Sequence, residues 1–123
     1  MKNSREKGID GELAGEKFLA GMGYKVIGRN YRTRYGEIDI IAREKEDLVF
    51  VEVKMRNSSG FGLPQESVTV FKQERIIKSA LQYVKSGGFE GTNIRFDVLA
   101  IGPGPDKIEV IKSAFGAPAR YTL

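Results

Sequence analysis

The chain contains no cysteine, no histidine and no tryptophan. Without thiols there is neither a disulfide framework nor thiolate chemistry, and without imidazole the usual zinc sites and histidine-based triads are excluded. No apolar run approaches the roughly 20 residues a membrane-spanning helix needs. The opening MKNSREKGIDGE lacks the hydrophobic region of a signal peptide. A cytoplasmic protein with no membrane partner is expected. Any catalysis must rest on carboxylates, lysine, hydroxyls or a hard metal ion. The length, 123 residues, suits one domain over 1–123 with a single core, and 41% hydrophobic against 29% charged residues is ordinary for a globular protein.

What is present centres on GEIDIIAREKEDLVFVEVKMR, Gly36 to Arg56. Its alternation predicts two strands, about Glu37 to Ala42 and Leu48 to Met55, joined through the charged run Arg43 to Asp47. A four-residue loop at Glu44 to Asp47 pairs Arg43 with Leu48, Ile41 with Phe50, Asp39 with Glu52 and Glu37 with Lys54. Side chains alternate across a strand, so these residues share one face. The other face carries Ile38, Ile40, Ala42, Val49, Val51, Val53 and Met55 and has to be covered. Asp39 opposite Glu52 is a like-charge cross-strand pair, which destabilises a hairpin. Two readings offset that cost: Lys54 alone neutralises the acids on an exposed face, or a divalent cation such as Mg²⁺ sits between the carboxylates.

The net charge of +4 is unevenly placed. Gly23 to Tyr35 carries Lys25, Arg29, Arg32 and Arg34 and no acid, whereas Gly36 to Arg56 has six acids against four bases. Asn57 to Ser86 carries Lys72, Arg75, Lys78 and Lys85 against Glu66 and Glu74. An acidic spot between basic segments suits a metal-dependent enzyme acting on a polyanion; a mildly basic solvated surface is the alternative.

Before the hairpin, about Arg5 to Met22 reads as a helix. At 100° per residue Gly8, Gly11, Glu12, Gly15, Phe18, Leu19 and Met22 fall on one side. Small residues there allow close approach to a sheet, and Glu12, the lone acid on that side, points either at the sheet or to water. Gly23 ends the helix and Tyr24 to Arg29 supplies a strand. Arg29 to Tyr35 interleaves arginine with tyrosine: a phosphate-gripping, base-stacking segment, or a solvated connector. Asn57 to Pro64 reads as a loop beside the acidic cluster. Thr69 is a candidate N-cap for a helix reaching about Ser86, with Ile77, Ala80, Leu81 and Val84 as its buried stripe and Gly87-Gly88 as its stop. Lys72 and Arg75 near its start either bind phosphate with the helix N-terminus or are solvated charges. Asn93 to Ile101 and Lys107 to Lys112 complete the chain as a hairpin around a turn at Gly102 to Asp106, and Ser113 to Leu123 shows no periodicity. The order, helix, three strands, helix, two strands, predicts an α/β protein with one mixed sheet flanked by helices.

GEIDIIA, then VFVEVKMR, then GLPQESVTVFKQERIIKSALQYV resemble the YraN family of small bacterial proteins, over nearly the whole chain from Gly8 to about Phe115. That family is similar in turn to the PD-(D/E)XK nuclease superfamily, with its restriction-endonuclease-like fold, and within it to archaeal Holliday-junction resolvases. The resemblance implies Asp39 and Glu52 as metal-binding acids, Lys54 as the catalytic lysine and Glu12 as a further acid from the first helix. It also implies one or two Mg²⁺ or Mn²⁺ ions held with help from the Val53 carbonyl. Ile38 stands where the motif has its dispensable proline. The expected activity is phosphodiester hydrolysis in DNA, with branched or recombination intermediates as candidate substrates. Arg29, Arg32, Arg34, Lys72 and Arg75 are the expected backbone contacts, and Glu37 either orients Lys54 or forms a structural ion pair with it. Symmetric cutting of a junction calls for two sites, hence a homodimer. The alternatives are a nucleic-acid-binding module of the same fold without cleavage, and a protein-interaction domain.

Overall fold

The computed structural model describes residues 4–56, 68–104 and 107–116, with backbone alone for residues 4–11. The elements are α1 (Ser4–Gly21), β1 (Tyr24–Thr33), β2 (Gly36–Glu44), β3 (Asp47–Met55), α2 (Val70–Gly87), β4 (Ile94–Ile101) and β5 (Ile108–Phe115). The five strands form one sheet in the order β1-β2-β3-β4-β5. All neighbours are antiparallel except β3 and β4, which are parallel. A parallel pair needs a long crossover, and the connection from β3 to β4 contains α2. This is the expected mixed α/β sheet with a helix on each face, a restriction-endonuclease-like arrangement.

Two apolar clusters, rather than the one core expected, hold the layers together. Ile76, Ile77, Ala80 and Val84 of α2 pack with Ile38, Ile41, Leu48, Phe50, Phe96 and Val98. On the opposite face Leu19 of α1 packs with Tyr24, Ile40, Ala42, Val49, Val51, Leu99 and Ile101. The alternation read from β3 and β4 places these residues on the faces they occupy. Small residues on α1 do allow a close approach. A Cβ added to Gly15 would lie 2.7 Å from Leu99 Cδ2 and 3.0 Å from Ile101 Cδ1, so the β4 side chains fill the space a larger residue would need. Phe18 and Met22, expected on the packed side, stay 38% and 39% exposed. The α2 cap is as expected: Thr69 accepts from the Lys72 amide, and Gly88 closes the helix at φ 72.

Several boundaries differ from those expected. β2 and β3 keep the expected register, with Arg43 opposite Leu48 and Ile41 opposite Phe50. Their strands extend until Glu44 pairs with Asp47, leaving Lys45-Glu46 as a two-residue turn with Lys45 at φ 55. A left-handed turn residue matches the twist of the strands it joins. β1 runs on to Thr33 through the basic segment, because Tyr31 packs against the α2 cluster while Arg29 and Arg32 project outward. β5 continues to Phe115, whose ring stacks on Phe96 at 5.1 Å. The loop expected at Asn57 to Pro64 and most of the turn's end at Asp106 lie outside the described residues.

The face assignment breaks at one place. Ile38 should share the α1 face with Ile40, yet it packs with Ile41 on the α2 face. The same break occurs across the ladder: Arg29 meets Glu16 of α1 while Tyr31 meets Tyr83 of α2. Between these pairs, Arg29–Ile40 and Tyr31–Ile38, lie Asn30 and Asp39, opposite one another. Asn30 has φ 50, a left-handed conformation inside a strand. That one residue turns the chain over, and Asp39 swings with it towards α1.

Candidate active site

Asp39 and Glu52 meet where β2 and β3 stop pairing as a ladder, beyond Ile40–Val51. The Val53 amide donates to Asp39 Oδ2 at 2.8 Å instead of to a β2 carbonyl. The two carboxyl groups act on one another: hydrogen bonding between them lowers the Asp39 pKa and raises that of Glu52. Burial raises the Asp39 pKa, opposed by the Val53 amide, while Glu37 and Glu12 raise it further. Burial and then Asp39 push Glu52 up to about 7, although Lys72 and Lys54 pull it down. Both acids and Lys54 are half-buried.

On the α1 side Asp39 opens into a cleft of about 30 Å³, lined by Glu12, Glu16, Arg29, Asn30, Asp39, Ile40 and Val53. That is room for a water or a small ion. Glu12, itself exposed, thus faces the same space as Asp39. Glu52 and Lys54 do not line this cleft; Glu52 lies two residues on from Phe50 of the α2 cluster, on the same face of β3, and Lys72 of α2 acts on it. The trio and Glu12 are therefore gathered at one end of the sheet but from two faces. Among the described residues no three acids stand close enough to form a ready-made metal cage.

The remaining expected residues are engaged in various ways. Arg29 is bound in bidentate fashion by Glu16, at 2.6 to 2.9 Å, fastening β1 to α1 beside the cleft. Arg32 pairs with Glu37 at 3.3 Å. Glu37 is therefore directed along β1 and not at Lys54, and its remaining influence is to raise the Asp39 pKa. Arg34 donates to the Tyr35 hydroxyl at 2.7 Å, and Arg75 donates from Nε to the Tyr35 carbonyl. Asn30, Tyr35 and Lys78 carried no separate signal in the sequence. A left-handed asparagine has no marker of its own, and Lys78 reaches Tyr35 only because the β1–β2 turn docks on α2.

A family model described as "Uncharacterised protein family UPF0102" matches residues 11–101. The chain belongs to UPF0102. A UPF0102 protein of Desulfosudis oleivorans is 46% identical over 118 residues, covering 95% of this chain and 96% of the relative. One of Geobacter sulfurreducens is 46% identical over 111 residues, 88% and 87% of the two chains. One of Rhodococcus jostii is 42% identical over 118 residues and is covered completely. The YraN resemblance read from the sequence is borne out, since the two names denote one family. The match spans β2, β3 and α2, so it includes Glu12, Asp39, Glu52, Lys54 and Lys72.

Proposed function

We propose that this UPF0102 chain is a metal-dependent nuclease that hydrolyses phosphodiester bonds in DNA. The observation carrying this reading is the Asp39–Glu52 pair: two half-buried carboxyl groups that act on one another where the β2–β3 ladder ends, with the Val53 amide on Asp39 and with Lys54 and Lys72 acting on Glu52. Oxygen donors of this kind suit a hard cation. Mg²⁺ binds through one or two carboxylates and keeps several waters, so the Asp39–Glu52 pair would suffice without a three-acid cage, with Glu12 acting through a water. Asp39 and Glu52 would hold Mg²⁺ or Mn²⁺, with the Val53 carbonyl as a further donor and Glu12 across the cleft facing the ion's waters.

When bound, the ion supplies Lewis-acid polarisation of the phosphate and a water of lowered pKa. The protein's part is positional. The Val53 amide fixes one Asp39 oxygen and leaves the other for a ligand. Lys54 donates to the attacking water or to a phosphate oxygen, countering charge that builds in the transition state. Lys72, Arg75 and Arg34 meet the flanking backbone, while Arg29 and Arg32 begin from their pairs with Glu16 and Glu37. Branched DNA is the proposed substrate, cut symmetrically by a homodimer.

Mg²⁺- or Mn²⁺-dependent nicking of linear, flapped and four-way DNA tests the reading. We expect Asp39→Ala, Glu52→Ala and Lys54→Ala each to abolish cleavage with the melting transition retained. A variant lacking either carboxylate that cuts normally would overturn the assignment. Salt-dependent binding with no cleavage under any metal would instead favour the non-catalytic module of the same fold.

A further inference from the structure

The β1–β2 turn is fastened to α2 more firmly than a solvated connector would be. Thr33 Oγ1 lies 2.7 Å from the Ser79 hydroxyl and accepts from the Tyr35 amide at 3.0 Å. One helical turn before Ser79, Arg75 holds the Tyr35 carbonyl. The Tyr35 ring is thereby fixed among cations. The Arg34 guanidinium lies 4.9 Å from its centroid and bonds its hydroxyl, and the Lys78 ammonium lies 5.7 Å from the centroid. The phenol pKa is lowered, first by the Arg34 hydrogen bond and further by the charges of Arg34 and Lys78.

Lys72, Arg75 and Lys78 follow one another along α2, and all three are exposed. Glu74 shares this part of the helix and has interactions of its own; among the described residues Arg34, Lys72, Arg75 and Lys78 stand here with Glu74 and with Glu37, which Arg32 pairs. From Lys72, which acts on Glu52, to Lys78 is a rise of about 9 Å along the helix. That is longer than a single phosphate-to-phosphate step, so the row can meet more than one phosphate of a strand.

We propose that Tyr35, Arg34, Arg75 and Lys78 form a landing site for the sugar-phosphate backbone, set along α2 from the Lys72 that acts on the Asp39–Glu52 pair. Tyr35 is its positioning residue. The aromatic face and hydroxyl hold a guanidinium and an ammonium together before the strand arrives, so less side-chain freedom is lost on binding. The site deepens the nucleic-acid part of the proposed function and rests on it, but needs no cleavage.

The test is anisotropy of fluorescein-labelled single-stranded DNA, duplex DNA and RNA oligonucleotides, titrated with the full chain in EDTA across a salt series. Arg34→Gln and Lys78→Gln should each weaken binding several-fold and lower the slope of log K against log salt by about 0.7–0.9. Lys78→Arg should restore both. Tyr35→Phe should weaken binding with the slope unchanged, because it misplaces a charge without removing one. Lys45→Gln, at the far turn, should change neither. Equal effects of Lys45→Gln and Lys78→Gln, or wild-type slopes for both Arg34→Gln and Lys78→Gln, would overturn the site. So would a loss seen equally with polyglutamate. If Tyr35→Phe fails to fold, the exposed Lys78→Gln and Lys78→Arg pair decides. The arm with the steepest change distinguishes DNA from RNA. Binding through this site by a protein that never nicks DNA removes the nuclease reading alone; cleavage with unaltered binding removes this site alone.

Discussion

Glu52→Gln should make the protein more stable above neutral pH, and the size of the gain follows from the site. Burial and the neighbouring Asp39 raise the Glu52 pKa from 4.5 to about 7. The folded state therefore holds this proton more tightly than the unfolded chain does. Stability from that proton is fully present below pH 4.5 and is lost as pH rises through 7. A displacement of this size corresponds to roughly 3 kcal/mol. Glu52 is only half-buried and titrates together with Asp39, so about half of that, ~1.5 kcal/mol, is expected at pH 8. Glutamine cannot ionise and its amide still donates to Asp39, so the variant escapes the loss. With unfolding entropy of about 2.1 cal/mol/K per residue, the gain is a Tm higher by about 6 °C at pH 8. The two proteins should converge near pH 4.5. Saturating Mn²⁺ supplies the second readout: at a hundred times its Kd it should stabilise the wild type by about 2.7 kcal/mol and the variant far less. The assay is thermal denaturation followed by circular dichroism from pH 4 to 9, with and without Mn²⁺. Parallel pH profiles for the two proteins, or a less stable variant at pH 8, would refute the reasoning.

Two other substitutions probe the geometry behind the site. Asn30→Gly should be close to neutral in stability, because glycine accepts φ 50, whereas Asn30→Val should cost about 1–2 kcal/mol and lose the Mn²⁺-induced rise in Tm; a valine variant with the full metal response would show that the turned strand does not place Asp39. Asp97→Ala should cost about 3–5 kcal/mol in urea denaturation, since it leaves Arg95 short of its bidentate, fully buried partner and the Tyr24 hydroxyl without an acceptor; a loss under 1 kcal/mol would contradict the network described below.

Much of the fold could be read from period alone. Alternation along Val49–Val53 and along Ile94–Ile101 assigns each side chain to its face, and Thr69 and Gly88 bound α2 through ordinary capping chemistry. The hairpin register from Ile40–Val51 to Arg43–Leu48 is legible in the same pattern, but the ladder ends before the expected Asp39–Glu52 and Glu37–Lys54 pairs; the two acids act on one another from where it stops. The exchange of faces at Asn30 and Asp39 was hidden because an asparagine at φ 50 leaves the hydrophobic pattern intact on either side. Extrapolating alternation through it sends Ile38 to the wrong face. The basic segment concealed a strand for a related reason: Tyr31 and Thr33 are its inward residues, and arginines on both sides of them dilute the pattern. Arg95 and Asp97 drew no notice because their partners are remote. Tyr24 lies 73 residues from Asp97, and Asp47 lies 48 residues from Arg95.

The two ends of the sheet contrast an acidic cluster whose members are all paired with cations and the cluster proposed above as the site. At the β3–β4 start, Arg95 reaches Asp97, Glu44 and Asp47 at 2.8 to 3.0 Å, and Lys112 takes the second Glu44 oxygen at 2.7 Å. Asp97, fully buried, accepts in addition from the Tyr24 hydroxyl and the Ser113 amide. Lys112 and Arg95 hold the Glu44 carboxyl below its ordinary pKa against the cost of burial. Every acid there has a cation within hydrogen-bonding distance. At the other end Lys54 and Lys72 act on Glu52 and still leave its pKa near 7. The shortage is of positive charge at the carboxyl oxygens themselves, since Lys54 and Lys72 act on Glu52 through space without a bond as short as those of Arg95. A side chain that closed the gap would stabilise the fold and occupy the oxygens. Leaving it open costs stability near neutral pH, and it keeps two oxygen donors available to a cation from solution.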